Sequence, residues 1–241
     1  MLSKHDALRI VVLKADRLYG ELISRAIREH WHNAEVLVYH LGFDALESIQ
    51  ARTPDLFVTG VQLADMDGLE HLEPFLKREQ PILVVTSRKD SRTCAMLRQM
   101  RFDGIYDGIE EGLENLPVAI DRVLAHLPYT SPGFAALLRP RANLTLDELT
   151  NKEQIVLAVI GDGCDDQEAA DLLGLSPYTV NTHRKAIMAK LHLHQKGALI
   201  NYAVQNGYVH ITPDGVTRPG FQRRLRDLFA HATKGDPEAA G

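Results

Sequence analysis

Cysteine is almost missing from this 241-residue chain: Cys94 and Cys164 stand far apart, with no further thiol to complete a cross-link pattern or a metal-ligand spacing. That excludes a disulfide-stapled secreted domain and a zinc ribbon. Long apolar runs are missing as well. The longest, such as Ile10–Leu13 and Ile82–Val85, have the length of a buried strand, far short of the roughly 18–20 residues of a membrane-spanning helix. The opening Met1-Leu2-Ser3-Lys4-His5-Asp6 lacks the apolar core of a signal peptide. A cytoplasmic protein with no membrane partner is the expectation. Catalytic constellations are scarce too. No Gly-rich phosphate loop and no nucleophile paired with a base stand out, so no enzyme activity, cofactor or metal ion is expected. His192 and His194 flank one leucine without further ligands at suitable spacing and read as surface side chains. Cys94, beside Met96 and Leu97, reads as packed rather than reactive.

What is present is an ordinary globular balance, 45% hydrophobic and 24% charged, which excludes wholesale disorder. The net charge of −5, from 27 basic and 32 acidic residues, taken whole, disfavours a polyanionic partner. Its distribution reverses that reading. Up to Leu127 there are 15 Lys/Arg against 20 Asp/Glu, and after it 12 against 12. Within the second part, Asp147–Asp171 holds one Lys and eight acids, whereas Leu172–Arg226 holds eight Lys/Arg and the single acid Asp214. A block at +7 is the footprint of a surface that binds a polyanion.

Residues 1–127 alternate β-branched apolar runs with helical patterns. Arg9–Leu13, Glu35–Tyr39, Leu56–Thr59, Ile82–Thr86 and the weaker Gly104–Tyr106 read as strands; Leu18–Glu29, Phe43–Arg52, Leu69–Arg78, Asp90–Met100 and Pro117–Leu127 read as helices. Five such units predict a doubly wound α/β domain, flavodoxin-like, with five parallel strands covered on both faces. Residues 128–146, rich in Pro, Ser and Gly, read as a linker with a short helical piece near Phe134–Leu138. Residues 147–209 read as an all-α domain of four helices. Residues 210–241 form a C-terminal extension: a hairpin turning at Pro213-Asp214-Gly215, a helix over Phe221–Ala232 carrying Arg223, Arg224 and Arg226, and a coreless tail.

The all-α part carries its own punctuation. Thr150-Asn-Lys-Glu153 is a capping box, Asp165 or Asp166 caps a second, short helix, and Gly174 ends it in a left-handed turn. Ser176-Pro177 then starts a third helix with a capping hydroxyl and a first-position proline. Ala169, Leu172 and Leu173 are expected inside, as are Val180, Ile187 and Leu191. A short helix, a tight Gly turn and a capped second helix make a helix-turn-helix. On the polar face of the third helix, Asn181, Thr182 and Lys185 are candidates for base edges in a major groove. Thr179, Arg184, Lys190 and Lys196 are candidates for phosphates. Each alone is equally what a solvated face carries; their coincidence with the turn chemistry singles them out.

Leu149-Thr-Asn-Lys-Glu153, Glu168-Ala-Ala-Asp-Leu-Leu-Gly-Leu-Ser176, Thr179-Val-Asn-Thr-His183 and Lys190-Leu191, in order over about sixty residues, resemble the LuxR/NarL-type DNA-binding domain. The resemblance implies a transcription factor that binds double-stranded promoter DNA as a homodimer, pairing through its last helix. Here that helix is Lys196–Asn206, with Leu199, Ile200 and Ala203 as contacts. The family often has Lys where Asn181 stands and Asn where Ala186 stands, so site preference does not transfer.

Beside such a domain, the five-unit fold is similar to the receiver of a response regulator, one with a degenerate site. Pro54–Leu69 aligns with the stretch around the family's phosphate-accepting Asp and puts Gly60 at the acceptor position, where there is no carboxylate to form an acyl phosphate. The family's acidic pair for Mg²⁺ falls on Ala15 and Asp16, its lysine on Gly108, and only Thr86 matches the switch hydroxyl. Asp65 or Asp67 as substitute acceptor is the weaker reading. The expectation is a phosphorylation-independent regulator whose receiver dimerises through Asp90–Met100, the fifth strand and Pro117–Leu127. The alternatives are control by a small molecule in the vacated pocket or by a partner protein, or an adaptor whose helices contact proteins.

Overall fold

A computed structural model describes residues 7–63, 65–66, 68, 80–100, 102–139, 149–212, 215–218 and 221. The chain divides into two compact units, Met1–Lys89 with Cys94–Arg139, and Asp90–Thr93 with Pro140–Gly241. Among the described residues, no helix is long and apolar enough to cross a membrane.

The first unit is a parallel sheet of six described strands: β1 (Arg9–Leu13), β2 (Glu35–Tyr39), β3 (Leu56–Thr59), β4 (Ile82–Thr86), β5 (Gly104–Asp107) and β6 (Tyr129–Thr130), in the order β2-β1-β3-β4-β5-β6. Its helices are α1 (Arg17–His30), α2 (Gly42–Ala51), α3 (Ser91–Gln99, of which the part from Cys94 belongs to this unit), α4 (Leu116–Leu124) and α5 (Pro132–Leu137). The near-continuous apolar strands follow from burial on both faces. Val11, Leu13, Phe57 and Val84 enter one core, while Ile10, Val12, Val58, Leu83 and Val85 enter the other, the period-two alternation of a pleated strand with two dry sides. Leu116, Ala119, Ile120 and Val123 on α4 bury one helical stripe against the second core. Each fully buried aliphatic side chain of this kind stabilises the fold by ~1.5–3 kcal/mol.

Two expectations change here. The sheet has a sixth strand, and residues 128–139 of the stretch read as linker belong to the first unit. Tyr129 and Thr130 pair with Gly104 and Ile105 along the outer edge of β5, and Phe134 on α5 is fully buried in the first core. Pro128, Pro132 and Gly133 supplied the linker-like composition. Pro132, however, starts a helix, where its missing N–H costs nothing. Consequently Gly104 and Ile105 of β5 are paired on both sides. The helix read over Leu69–Arg78 lies outside the described residues.

In the second unit, α6 (Asn151–Ile160), α7 (Asp166–Leu173), α8 (Pro177–Lys190) and α9 (Lys196–Gln205) enclose a core of Leu157, Val159, Ala169, Val180, Ile187 and Leu199. Thr150 and Glu153 form the capping box on α6, and Asp165 and Glu168 form a second one on α7. Gly174 is left-handed, φ 65° and ψ 32°, where a side chain would be strained. Leu172, expected inside, is 61% exposed; Ala169 and Leu173 turn inward as expected, and Ala170 joins them. The hairpin expected after Gly207 is present as β7 (His210–Thr212) and β8 (Gly215–Thr217), antiparallel. Its exit is fastened by Arg218, which donates to the Ala158 carbonyl at 2.9 Å and pairs with Asp162. Pro213, Asp214, Arg223, Arg224 and Arg226 lie outside the described residues.

Candidate nucleic-acid interface and receiver pocket

In an open parallel sheet, ligands meet the carboxyl ends of the strands where successive connections diverge. Here that point lies between β1 and β3, and the residues leaving these strands are Lys14-Ala15-Asp16 and Gly60. Asp16 is not held there. It is exposed and caps α1, its carboxylate accepting the Tyr19 N–H at 2.9 Å. The residue that approaches Gly60 is Lys14, which sequence reasoning missed. Its Nζ would stand 3.1 Å from a Cβ placed on Gly60, donates to the Val85 carbonyl at 3.1 Å, and lies 4.6 Å from the centre of the Tyr19 ring. Burial lowers its pKa from 10.5 to about 8, opposed by the charge of Asp16.

The other family positions are closed in the same way. A Cβ on Gly108 would collide with the Tyr19 hydroxyl, so the Tyr19 side chain fills the space a side chain there would need. Thr86 is buried and its hydroxyl accepts the Arg88 N–H at 3.1 Å. Ala15 is half-buried and offers no polar atom. Asp65 is committed elsewhere, its two oxygens accepting the N–H groups of Gly42 and Phe43 at the start of α2, at 2.9 and 3.0 Å. Asp67 lies outside the described residues. The Lys14 and Tyr19 side chains therefore take up the space beside Gly60 and Gly108. Nearby, the fully buried Asp107 side chain pairs with Lys89 at 2.6 Å. Burial pushes this carboxyl up, but the Lys89 bond and the N–H groups of Ile109 and Glu110 outweigh it and hold the pKa below 3.8.

On the helix-turn-helix, Ser176 caps α8, accepting the Thr179 N–H at 3.1 Å, and the Thr179 and Ser176 hydroxyls lie 2.8 Å apart. Val180 and Ile187 are fully buried, which turns Tyr178, Thr182 and Lys185 outward. Lys185 is exposed and bonds no described residue, so its ammonium is available to a ligand. Thr182 is exposed and donates its hydroxyl to the Tyr178 carbonyl at 2.9 Å. Tyr178, 83% exposed at the start of α8, is a contact candidate that sequence reasoning missed; a tyrosine directly after a helix-starting proline was its signal.

The remaining candidates are engaged within the domain. Asn181 donates to Asp166 at 2.9 Å, and Arg184 pairs with the same carboxylate. Lys190 pairs with Glu153 at 2.7 Å, and Lys196 donates to the Cys164 carbonyl at 3.2 Å. Burial pushes the Glu153 carboxyl up, but the bonds from Lys190 and Thr150 hold it below 4.5. Lys190 thus adds an ion pair to the carboxylate of the α6 capping box. On α9, Leu199 is 1% and Ala203 0% exposed, so these two are core and not dimer contacts. The correction is geometric: i and i+4 share one face, and that face is the one packed on α6. Exposed Gly197, Asn201 and Val204, with half-buried Ile200, form the opposite side.

A parallel α/β receiver-like unit joined in one chain to a helix-turn-helix unit defines a two-module DNA-binding transcription regulator. The family model for bacterial regulatory proteins of the luxR family matches residues 147–203. The response regulator GacA of Pseudomonas aeruginosa is 31% identical over 177 residues, covering 70% of this chain and 82% of that protein. The transcriptional regulatory protein MctR of Rhizobium johnstonii is 28% identical over 188 residues, covering 77% and 88%. In fold, the chain is similar to RcsB of Salmonella enterica serovar Typhimurium bound to a promoter, with a TM-score of 0.54, 19% identity and coverage of 83% and 99%. The chain belongs to the response regulators with a luxR-type DNA-binding domain.

Proposed function

We propose that this protein regulates transcription in the cytoplasm by binding promoter DNA as a homodimer, and does so without phosphorylation of its receiver. The observation that carries the second part is Lys14 against Gly60. An acyl phosphate needs a carboxylate nucleophile, and Gly60 has none. Mg²⁺ needs several oxygens, and an ammionium at that place repels it. DNA binding rests on the groove-sized helix α8 with Thr182, Lys185 and Tyr178 outward, the last able to reach a phosphate. Dimerisation is assigned to the outer side of α9, around Ile200, Asn201 and Val204, since Leu199 and Ala203 are inside.

The test is duplex binding across a salt series, with and without acetyl phosphate and Mg²⁺. Affinity falls steeply as salt rises. Acetyl phosphate changes neither the affinity nor the protein's mass, and Gly60→Asp alone remains unlabelled because Ala15 and the helix-capping Asp16 leave Mg²⁺ without its acidic pair. A hydroxylamine-labile adduct on the wild-type protein overturns phosphorylation independence. Salt-insensitive binding, or none, favours the adaptor reading.

A further inference from the structure

Asp166 stands in the first turn of α7, yet its carboxylate reaches two residues of the recognition helix that differ in task. Asn181 Nδ2 donates to Oδ2 at 2.9 Å, and the Arg184 guanidinium pairs with Oδ1. Both partners are largely sheltered, with side chains 24% exposed for Asp166 and 14% for Arg184. Neither contact is required for the helix-turn-helix core, which Ala169, Val180 and Ile187 supply.

We infer that Asp166 is the positioning residue for DNA specificity: it fixes which edge of the Asn181 amide faces a base and keeps Arg184 from the phosphates. This rests on the DNA-binding reading above. A carboxylate accepts only, so the Asn181 amide is held with nitrogen toward Asp166 and oxygen away. A free asparagine rotates to pair with adenine through both groups. Held by its nitrogen, Asn181 presents chiefly an acceptor, which suits the exocyclic amino groups of adenine N6 or cytosine N4. The same carboxylate neutralises Arg184, so one cation beside the groove contributes little to sequence-independent attraction. Asp166 thereby trades affinity for discrimination, using one side chain for both.

The full-length protein is tested by selection from a randomised duplex pool with sequencing, and by the salt dependence of binding to a random-sequence duplex. Asp166→Ala relaxes the A-or-C preference at the Asn181 position, where a single good contact discriminates roughly fivefold to a hundredfold. It also tightens random-duplex binding and steepens the log–log salt slope by about one, as expected for one more neutralised phosphate. Asp166→Asn retains an acceptor for Asn181 but loses the charge. It therefore steepens the salt slope while keeping the base preference, which separates the two tasks from any loss of folding. Unchanged preference and slope in a folded Asp166→Ala protein overturn the inference. A wild-type protein that binds no duplex overturns the DNA-binding reading, and this inference with it.

Discussion

The two units treat a lysine beside a family site in opposite ways. In the helix-turn-helix, Lys190 meets Glu153, a carboxylate already built into a capping box, and the pair leaves the outward face of α8 intact. In the receiver-like unit, Lys14 meets a carbonyl, an aromatic face and a glycine, and occupies the ground where phosphoryl chemistry would be done. The DNA-binding unit therefore keeps an open outward face on α8 and adds partners beside it, whereas the receiver-like unit keeps its parallel sheet and, on the function proposed above, gives up its phosphoryl machinery. A fold survives such replacement because its stability resides in the two apolar cores, not in the polar strand ends.

The largest expected effect tests whether the receiver's architecture truly extends past residue 127. Phe134→Ala removes a fully buried ring from the first core and is expected to cost ~3–5 kcal/mol in denaturant unfolding. Were 128–146 only a linker, the change would be near zero. Its outcome thus decides between a six-strand domain and a five-strand domain with a tether.

Lys14 supplies the next test. Its ordinary pKa is 10.5 and its folded value about 8, so between these limits the unfolded chain binds more protons. Stability from this group is full above pH 10.5 and is lost as pH falls through 8. Unfolding free energy is expected to rise across that window by up to about 3 kcal/mol from this residue, and Lys14→Met flattens the rise. A wild-type profile with the same slope as the variant would place Lys14 in water and reopen the pocket.

How much of this was legible beforehand depends on the range of the interaction. Capping is local, so Thr150, Asp165, Ser176 and Gly174 were readable as punctuation and bound the helices where expected. Alternating apolar strands are local too. Lys14 was hidden because the alignment placed the acidic pair one residue along, on Ala15 and Asp16, and only the α1 cap shows that Asp16 belongs to the helix. Asp166 was hidden for a different reason: its partners lie on another helix, and no spacing rule connects them. Leu199 and Ala203 were assigned outward because the small domain's need for a face of α9 inside does not show in the helix's own pattern.

On the other side of the comparison, Lys185→Ala is expected to weaken specific DNA binding by ~1–3 kcal/mol if its free ammonium contacts a base, with selectivity relaxed at one position. Lys190→Ala makes the contrast. Its cation is already paired, so its loss is expected to appear mainly as reduced stability of α6 and as little change in the salt slope of binding. Equal losses in the two variants would show that Lys190 leaves Glu153 for a phosphate when DNA arrives.

The smallest effect isolates the capping box itself. Thr150→Ala removes the hydroxyl that accepts the Glu153 N–H at 3.3 Å, and is expected to cost ~0.5–2 kcal/mol. The Glu153 carboxylate keeps its bonds to the Thr150 N–H and to Lys190, both at 2.7 Å. Its folded pKa is held below 4.5, so its contribution is present above that pH and is lost as pH falls through the folded value. Acid titration of unfolding should therefore show a loss below about pH 4.5 in both proteins, with Thr150→Ala offset downward. If the substitution abolished the acid-dependent part altogether, the carboxylate would owe its depressed pKa to the hydroxyl and not to Lys190.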